Sequence, residues 1–204
     1  MDKVHLIIVI VLGVVGLVLG IVGFVTAGWM IKHYQYNSEY YGLWYLINCY
    51  TAFKENRCET VSHADVRNLN IDDELNRKAW ISSEVLASIG LCASIAGFVM
   101  ILVSICWKRF ATLIRALALA IFAISGLFTV IPAGIWARRS IAYLNLDSLK
   151  KTYAMEVSIP YSVICSIFAA IIAFVIAIIL LVVLCKDRQQ QSREKNKSIP
   201  MTRY

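Results

Sequence analysis

The chain has 204 residues, 59% of them hydrophobic and 16% charged, with a formal net charge of +7. A soluble domain of that length does not normally carry four uninterrupted apolar runs of more than twenty residues, and runs of 18 or more mark membrane-spanning helices. The positive charge is not that of a nucleic-acid binder, because no basic face is interleaved with base-stacking aromatics.

The apolar runs fall at 4–27, 85–107, 110–137 and 161–185. At about 1.5 Å per residue each outreaches a hydrocarbon layer of roughly 30 Å. One four-span domain over 1–185 is expected, with loops at 28–84 and 138–160 and a tail at 186–204. Six Lys and Arg follow Cys185, and Lys108-Arg109 nearly fills the link between the second and third spans. The ten at 28–80 and 138–160 are diluted over 76 residues and largely offset by acids. Short basic segments stay in the cytoplasm, so both termini are predicted inside and both loops outside.

The first run is longer than the 7–15-residue core of a cleaved signal peptide. Gly13, Gly16, Gly20 and Gly23 share one helical face in it, a small-residue stripe that lets helices approach closely in lipid. It reads as a retained span, ending at Gly28-Trp29 with an aromatic at interfacial depth. Residues 30–60 mix Tyr, Trp, Phe and polar residues in short runs that suit strands, with Gly42 as a bend or bulge. A small antiparallel sheet on the outer membrane face is predicted.

Further on, Asp73–Arg77 and Glu74–Lys78 are acid-first i,i+4 pairs, which predicts a short helix running into the second span through Trp80. Gly90, Ala93 and Gly97, then Ala116, Ala120 and Ala123, then Ala169, Ala173 and Ala177 form small-residue stripes on the later spans, as in a compact four-helix bundle. Pro132 is expected to kink the third span, with Thr129 rebonding a freed carbonyl. Mid-membrane charge is nearly absent: Glu84 lies at an outer end and Arg115 is placed to snorkel inward. Transport through the bundle is therefore not expected. Residues 149–161 fit either a further strand or an extension of the third helix.

Cys49 and Cys58 are the two cysteines in the predicted outer loops, where an oxidising setting favours a bridge with one connectivity. Cys92 and Cys165 read as packing residues. Cys106 and Cys185, at the inner edge beside basic residues, are candidates for palmitoylation. His5, His33 and His63 are isolated and show no metal-ligand spacing, so no metal or other cofactor is expected. With no phosphate-binding glycine loop either, an enzyme is not expected. Thr202-Arg203-Tyr204 ends the chain in a Thr-x-hydrophobic form that a PDZ groove accepts, making Thr202 and Tyr204 candidate contacts.

On this plan the chain resembles the claudin superfamily, which includes the peripheral-myelin-protein and calcium-channel gamma-subunit relatives. The resemblance rests on Trp29, Gly42-Leu43-Trp44, Cys49, Cys58, a basic residue before the second span (Arg77), and the proportions of four spans and two loops. Gly126-Leu127 through Trp136, and Lys150-Lys151 through Tyr161, also match. Four residues separate Trp44 from Cys49 where claudins place two, and the Tyr-Val terminus is missing. A divergent, claudin-like member is indicated.

The resemblance implies an all-α membrane protein: a left-handed four-helix bundle carrying an extracellular sheet stapled by Cys49–Cys58, with Trp44 at the membrane surface. It also implies a plasma-membrane protein of cell–cell junctions that self-assembles in cis and trans into a paracellular barrier or pore. A charge close after the second cysteine influences ion selectivity in that family; Glu59 holds the place here, with Asp65 beyond. The other branch of the superfamily implies an auxiliary subunit that binds a channel or receptor laterally.

Overall fold

The computed structural model describes residues 3–34, 36–52, 55–62, 74–144, 156–158 and 160–197. Four long helices, α1 (Lys3–Val25), α2 (Glu74–Cys106), α3 (Ala111–Leu144) and α4 (Tyr161–Lys197), carry a five-stranded sheet of β1 (Met30–His33), β2 (Asn37–Tyr41), β3 (Tyr45–Ala52), β4 (Glu55–Ser62) and β5 (Glu156–Ser158). All four helices contain stretches long and apolar enough to cross a bilayer, and the chain is a multi-pass membrane protein. Most of the outward residues are apolar, among them Val11, Val18, Leu113, Ile171 and Ile178, as expected where lipid is the solvent.

Helices pack around the bundle in the order α1–α4–α3–α2, and α1 touches α2 to close the ring. Without a hydrophobic drive between helices in lipid, close approach and hydroxyl bonds hold the seams. Along α1–α4 the glycine stripe faces its partners: a Cβ at Gly16 would lie 3.0 Å from Ile172, and one at Gly23 would strike Ser166. Thr26 Oγ1 and Ser162 Oγ share a 2.6 Å hydrogen bond, and Ser162 Oγ accepts from the Gly28 N–H at 2.9 Å. Along α2–α3, Ser94 and Ser125 hydroxyls bond each other and Ser125 Oγ donates to the Gly90 carbonyl at 2.9 Å.

Two details depart from expectation. On α3 the buried face is Ile114, Ala118, Phe122 and Ser125, whereas Ala116 and Ala120 are exposed; the face that offers Ser125 to Gly90 wins over an alanine stripe with nothing to bond. Thr129 Oγ1 donates to the Ser125 carbonyl at 2.9 Å, not to the carbonyl of residue 128 that Pro132 leaves without its helical donor.

The sheet is antiparallel throughout, in the order β4-β3-β2-β1-β5. Of residues 149–161, the described 156–158 form a strand and Tyr161 starts α4: β5 joins β1, with Ile31 opposite Ser158 and His33 opposite Glu156. The core has two centres. One, around Ile101, Phe122, Ile176 and Leu180, fills the half of the bundle away from the sheet. The other, of Trp29, Met30, Leu43, Ala87, Ala133, Trp136 and Val163, joins sheet to bundle.

Candidate functional site: the stapled hairpin and its seat on the bundle

Gly42-Leu43-Trp44 forms the turn between β2 and β3, closed by the Gly42 N–H donating to the Tyr45 carbonyl at 2.8 Å. Each of the three residues has a separate task. A Cβ at Gly42 would sit 2.9 Å from the Tyr45 carbonyl oxygen and 3.3 Å from Ala27 Cα, so only glycine lets the turn press against the end of α1. Leu43 is fully buried in the sheet–bundle core. Trp44, 41% exposed, packs edge-on against Phe24 of α1 with ring centres 5.1 Å apart, a boundary position between helix and sheet.

Trp29 and Trp80 complete the seat. The buried Trp29 indole donates to the Gly23 carbonyl at 2.7 Å, and its backbone N–H donates to the Tyr41 carbonyl at 2.9 Å. Trp80 of α2 directs its Nε1–H to the carbonyls of both Gly42 and Leu43, each at 3.2 Å. Its ring lies 5.7 Å from that of Trp136 and 5.9 Å from Tyr41, and Trp29 also meets Trp136 edge-on. Tyr45 adds a hydroxyl bond to the Val25 carbonyl at 2.7 Å. The turn is thereby fastened to α1, α2 and α3 at once.

From this seat the β3–β4 hairpin extends, and Cys49 and Cys58 are directly paired positions on it, joined by a disulfide. The four residues between Trp44 and Cys49 lie in β3: Leu46, Ile47 and Asn48 pair with both neighbouring strands, and Tyr45 pairs with Ser62 of β4. The strand runs through this stretch without a bulge, so side-chain alternation is intact from Tyr45 to Cys49.

One face of the sheet carries a transverse polar row: Lys32 on β1 opposite Glu39 on β2, Glu39 opposite Asn48 on β3, and Asn48 opposite Glu59 on β4. Lys32 is 8% exposed and lies 4.9 Å over the Tyr41 ring, while the Tyr41 hydroxyl donates to Glu39 Oε2 at 2.7 Å. Glu59 at the other end is 60% exposed and 4.0 Å from Arg57 Nε, a solvated pair of little energetic weight. Sequence reading singled out Glu59 and missed Lys32 and Glu39. Their period-two placement was visible, but which residues face one another depends on register, which hydropathy does not give.

Of the other predicted positions, Arg77 lies in the first turn of α2. Cys106 and Cys185 are exposed near the end of the bundle opposite the sheet. Asp65, Thr202 and Tyr204 lie outside the described residues. Glu84 is 7% exposed near the sheet end of α2, and Arg115, mostly buried, donates to Asp187 of α4 at 3.3 Å. Among the described residues no three His, Cys, Asp or Glu side chains converge as a metal site would require. No protein-family model matches the chain, and no curated protein matches it either.

Proposed function

We propose that this chain is a claudin-like four-span protein of cell–cell junctions, whose sheet assembles side by side and head-on with other copies into a paracellular barrier or ion-selective pore. The observation that carries the reading is the stapled β3–β4 hairpin held on three helices through Gly42-Leu43-Trp44. A recognition surface that bears load between cells needs a rigid element coupled to its membrane anchor, and this hairpin has both a covalent staple and an aromatic seat. The disulfide supports a sheet outside the cell, in an oxidising compartment. The basic α2–α3 turn and α4 tail at the opposite end support cytoplasmic termini.

The test is imaging of the tagged protein in non-adherent cells mixed with untransfected neighbours. Enrichment is expected at contacts where both cells express the protein and not where one does. Uniform membrane staining that changes only when a channel is co-expressed would sink the junction reading in favour of an auxiliary subunit. In an epithelial monolayer, Glu59→Gln tests whether the acidic end of the polar row favours cations; it is expected to lower Na⁺ over Cl⁻ preference in dilution potentials. An unchanged preference would leave Glu59 as a solvated strand residue.

A further inference from the structure

The end of the bundle away from the sheet carries a second charged surface. The turn between α2 and α3, with a short 3-10 segment at Lys108–Phe110, exposes Trp107, Arg109 and Phe110, the Arg109 guanidinium lying 5.8 Å from the Phe110 ring centre. The tail of α4 passes at the same level. Arg115 meets Asp187 at 3.3 Å, which sets residue 187 only about 6 Å of helical rise from the start of α3. Lys186 and Arg188 flank Asp187 and are exposed, and Arg193 is exposed about 9 Å further along the same helix.

Charge balance gives this surface its sign. Asp187 is the one acid among the described side chains there, and Arg115, only 16% exposed, already engages it. Arg109, Lys186, Arg188 and Arg193 therefore present positive charge to the medium. Trp107 and Phe110, 64% and 52% exposed, are amphipathic or apolar rings at the depth where headgroups meet acyl chains.

We propose that this end of the bundle binds the headgroups of anionic phospholipids in the surrounding leaflet, with Arg109, Lys186, Arg188 and Arg193 on the phosphates and Trp107 and Phe110 at the acyl boundary. The chemistry required is a phosphate held in a bilayer: juxtamembrane cations at this density attract anionic lipid, and guanidinium groups fork onto phosphate oxygens. The surface is built from the bundle alone and does not rest on the junction reading.

The test titrates full-length protein in neutral detergent with phosphatidylcholine, phosphatidylserine and a phosphatidylinositol bisphosphate, and counts bound lipid by native mass spectrometry. Both anionic lipids are expected to bind in preference to phosphatidylcholine, the bisphosphate more tightly. Arg188→Gln/Arg193→Gln is expected to weaken anionic binding about tenfold or more and to leave phosphatidylcholine binding unchanged. Lysine at both positions should retain it. Asp187→Asn, which removes the acid, should strengthen it. Soluble inositol trisphosphate is expected to bind far more weakly than the lipid. Equal uptake of neutral and anionic lipid, full anionic binding by the double glutamine variant, or soluble headgroup binding as tight as lipid would each overturn the proposal.

Discussion

The glycine stripe of α1 makes a graded prediction, because its four positions do not meet the same neighbours. A methyl at Gly20 would lie 3.6 Å from Leu91 Cδ1 and 3.9 Å from Ala169 Cβ, ordinary contacts. Alanine there gains about 1 kcal/mol of helix propensity over glycine with no clash. At Gly16 it would sit 3.0 Å from Ile172 Cγ2, a tight contact with a stiff β-branched side chain that offsets much of that gain. At Gly23 it would collide with Ser166 Oγ and stand 3.0 Å from the Ser162 carbonyl oxygen, which belongs to the backbone. Ser166 Oγ also donates to that carbonyl at 2.9 Å, so moving it breaks a buried hydrogen bond. Overpacking of this kind costs about 1–3 kcal/mol and the lost bond about 1 more. After the propensity gain, Gly23→Ala is expected to destabilise by about 1–3 kcal/mol. For a chain of this size 1 kcal/mol moves the melting temperature by about 2–4 °C. Thermal unfolding in detergent, followed by intrinsic fluorescence, should therefore rank Gly20→Ala above wild type, Gly16→Ala near it and Gly23→Ala below it. Ser166→Ala on the Gly23→Ala background should restore part of the loss by removing the struck oxygen. If Gly23→Ala melts at or above Gly20→Ala, the α1–α4 seam is not packed as described.

Other positions give separable outcomes. Cys49→Ser/Cys58→Ser opens a short loop in the sheet and is expected to cost about 3 kcal/mol, read as chemical-denaturation loss of β-sheet signal with the helical signal retained to higher denaturant. Leu43→Ala, at a fully buried site, should cost about 2–5 kcal/mol. Trp44→Ala, whose ring is two-fifths exposed and has Phe24 as its aromatic partner, should cost less, so the order Leu43 over Trp44 in a melting series checks which residue of the turn is the plug. Arg115→Ala leaves Asp187 without its cation; with both ends of the pair reaching solvent, the expected loss is about 1–2 kcal/mol, below that of a fully buried pair, and Asp187→Ala on the same background should add little.

How far the fold was legible depends on what each pattern measures. Hydropathy located the four spans because it reports contact with lipid. It did not give the helix ends, for α2 begins at Glu74, α3 runs to Leu144 and α4 to Lys197, all beyond the apolar runs. A helix keeps its backbone bonds in water as well as in lipid, so nothing in the composition marks where membrane stops and helix continues. The acid-first pairs at 73–78 did mark the forward extension of α2, since they act through helical spacing. The cysteine pair was legible from compartment and count. The buried Lys32 was not: charged side chains are read as exposed by default, and its place over Tyr41 beside Glu39 arises only when β1 and β2 pair in register. The small-residue stripe succeeded on α1, where glycine permits contact that no other residue does, and failed on α3, where alanine is as acceptable to lipid as to a helix.

Trp80 shows what the sequence leaves out most clearly, since it read only as a link between an outer helix and the second span. In the structure its single N–H is shared by two turn carbonyls from β2–β3, while its ring spans Tyr41 of the sheet and Trp136 of α3. Packing and hydrogen bonding can be divided here. Trp80→Phe keeps an aromatic ring between sheet and bundle and removes the donor, leaving the Gly42 and Leu43 carbonyls to find water or each to stay unpaired, at about 1–2 kcal/mol. The loss is local to the hairpin. Hydrogen exchange should accelerate about tenfold in amides of residues 42–50, as expected for roughly 1.4 kcal/mol, while amides of α3 and α4 keep their protection. If exchange rises equally across the bundle, Trp80 acts as core packing and the turn is not fastened through its indole. If exchange does not change, the shared hydrogen bond contributes nothing to holding the hairpin. An increase confined to the hairpin would instead make one indole nitrogen the link by which the membrane bundle fixes the orientation of the stapled strands.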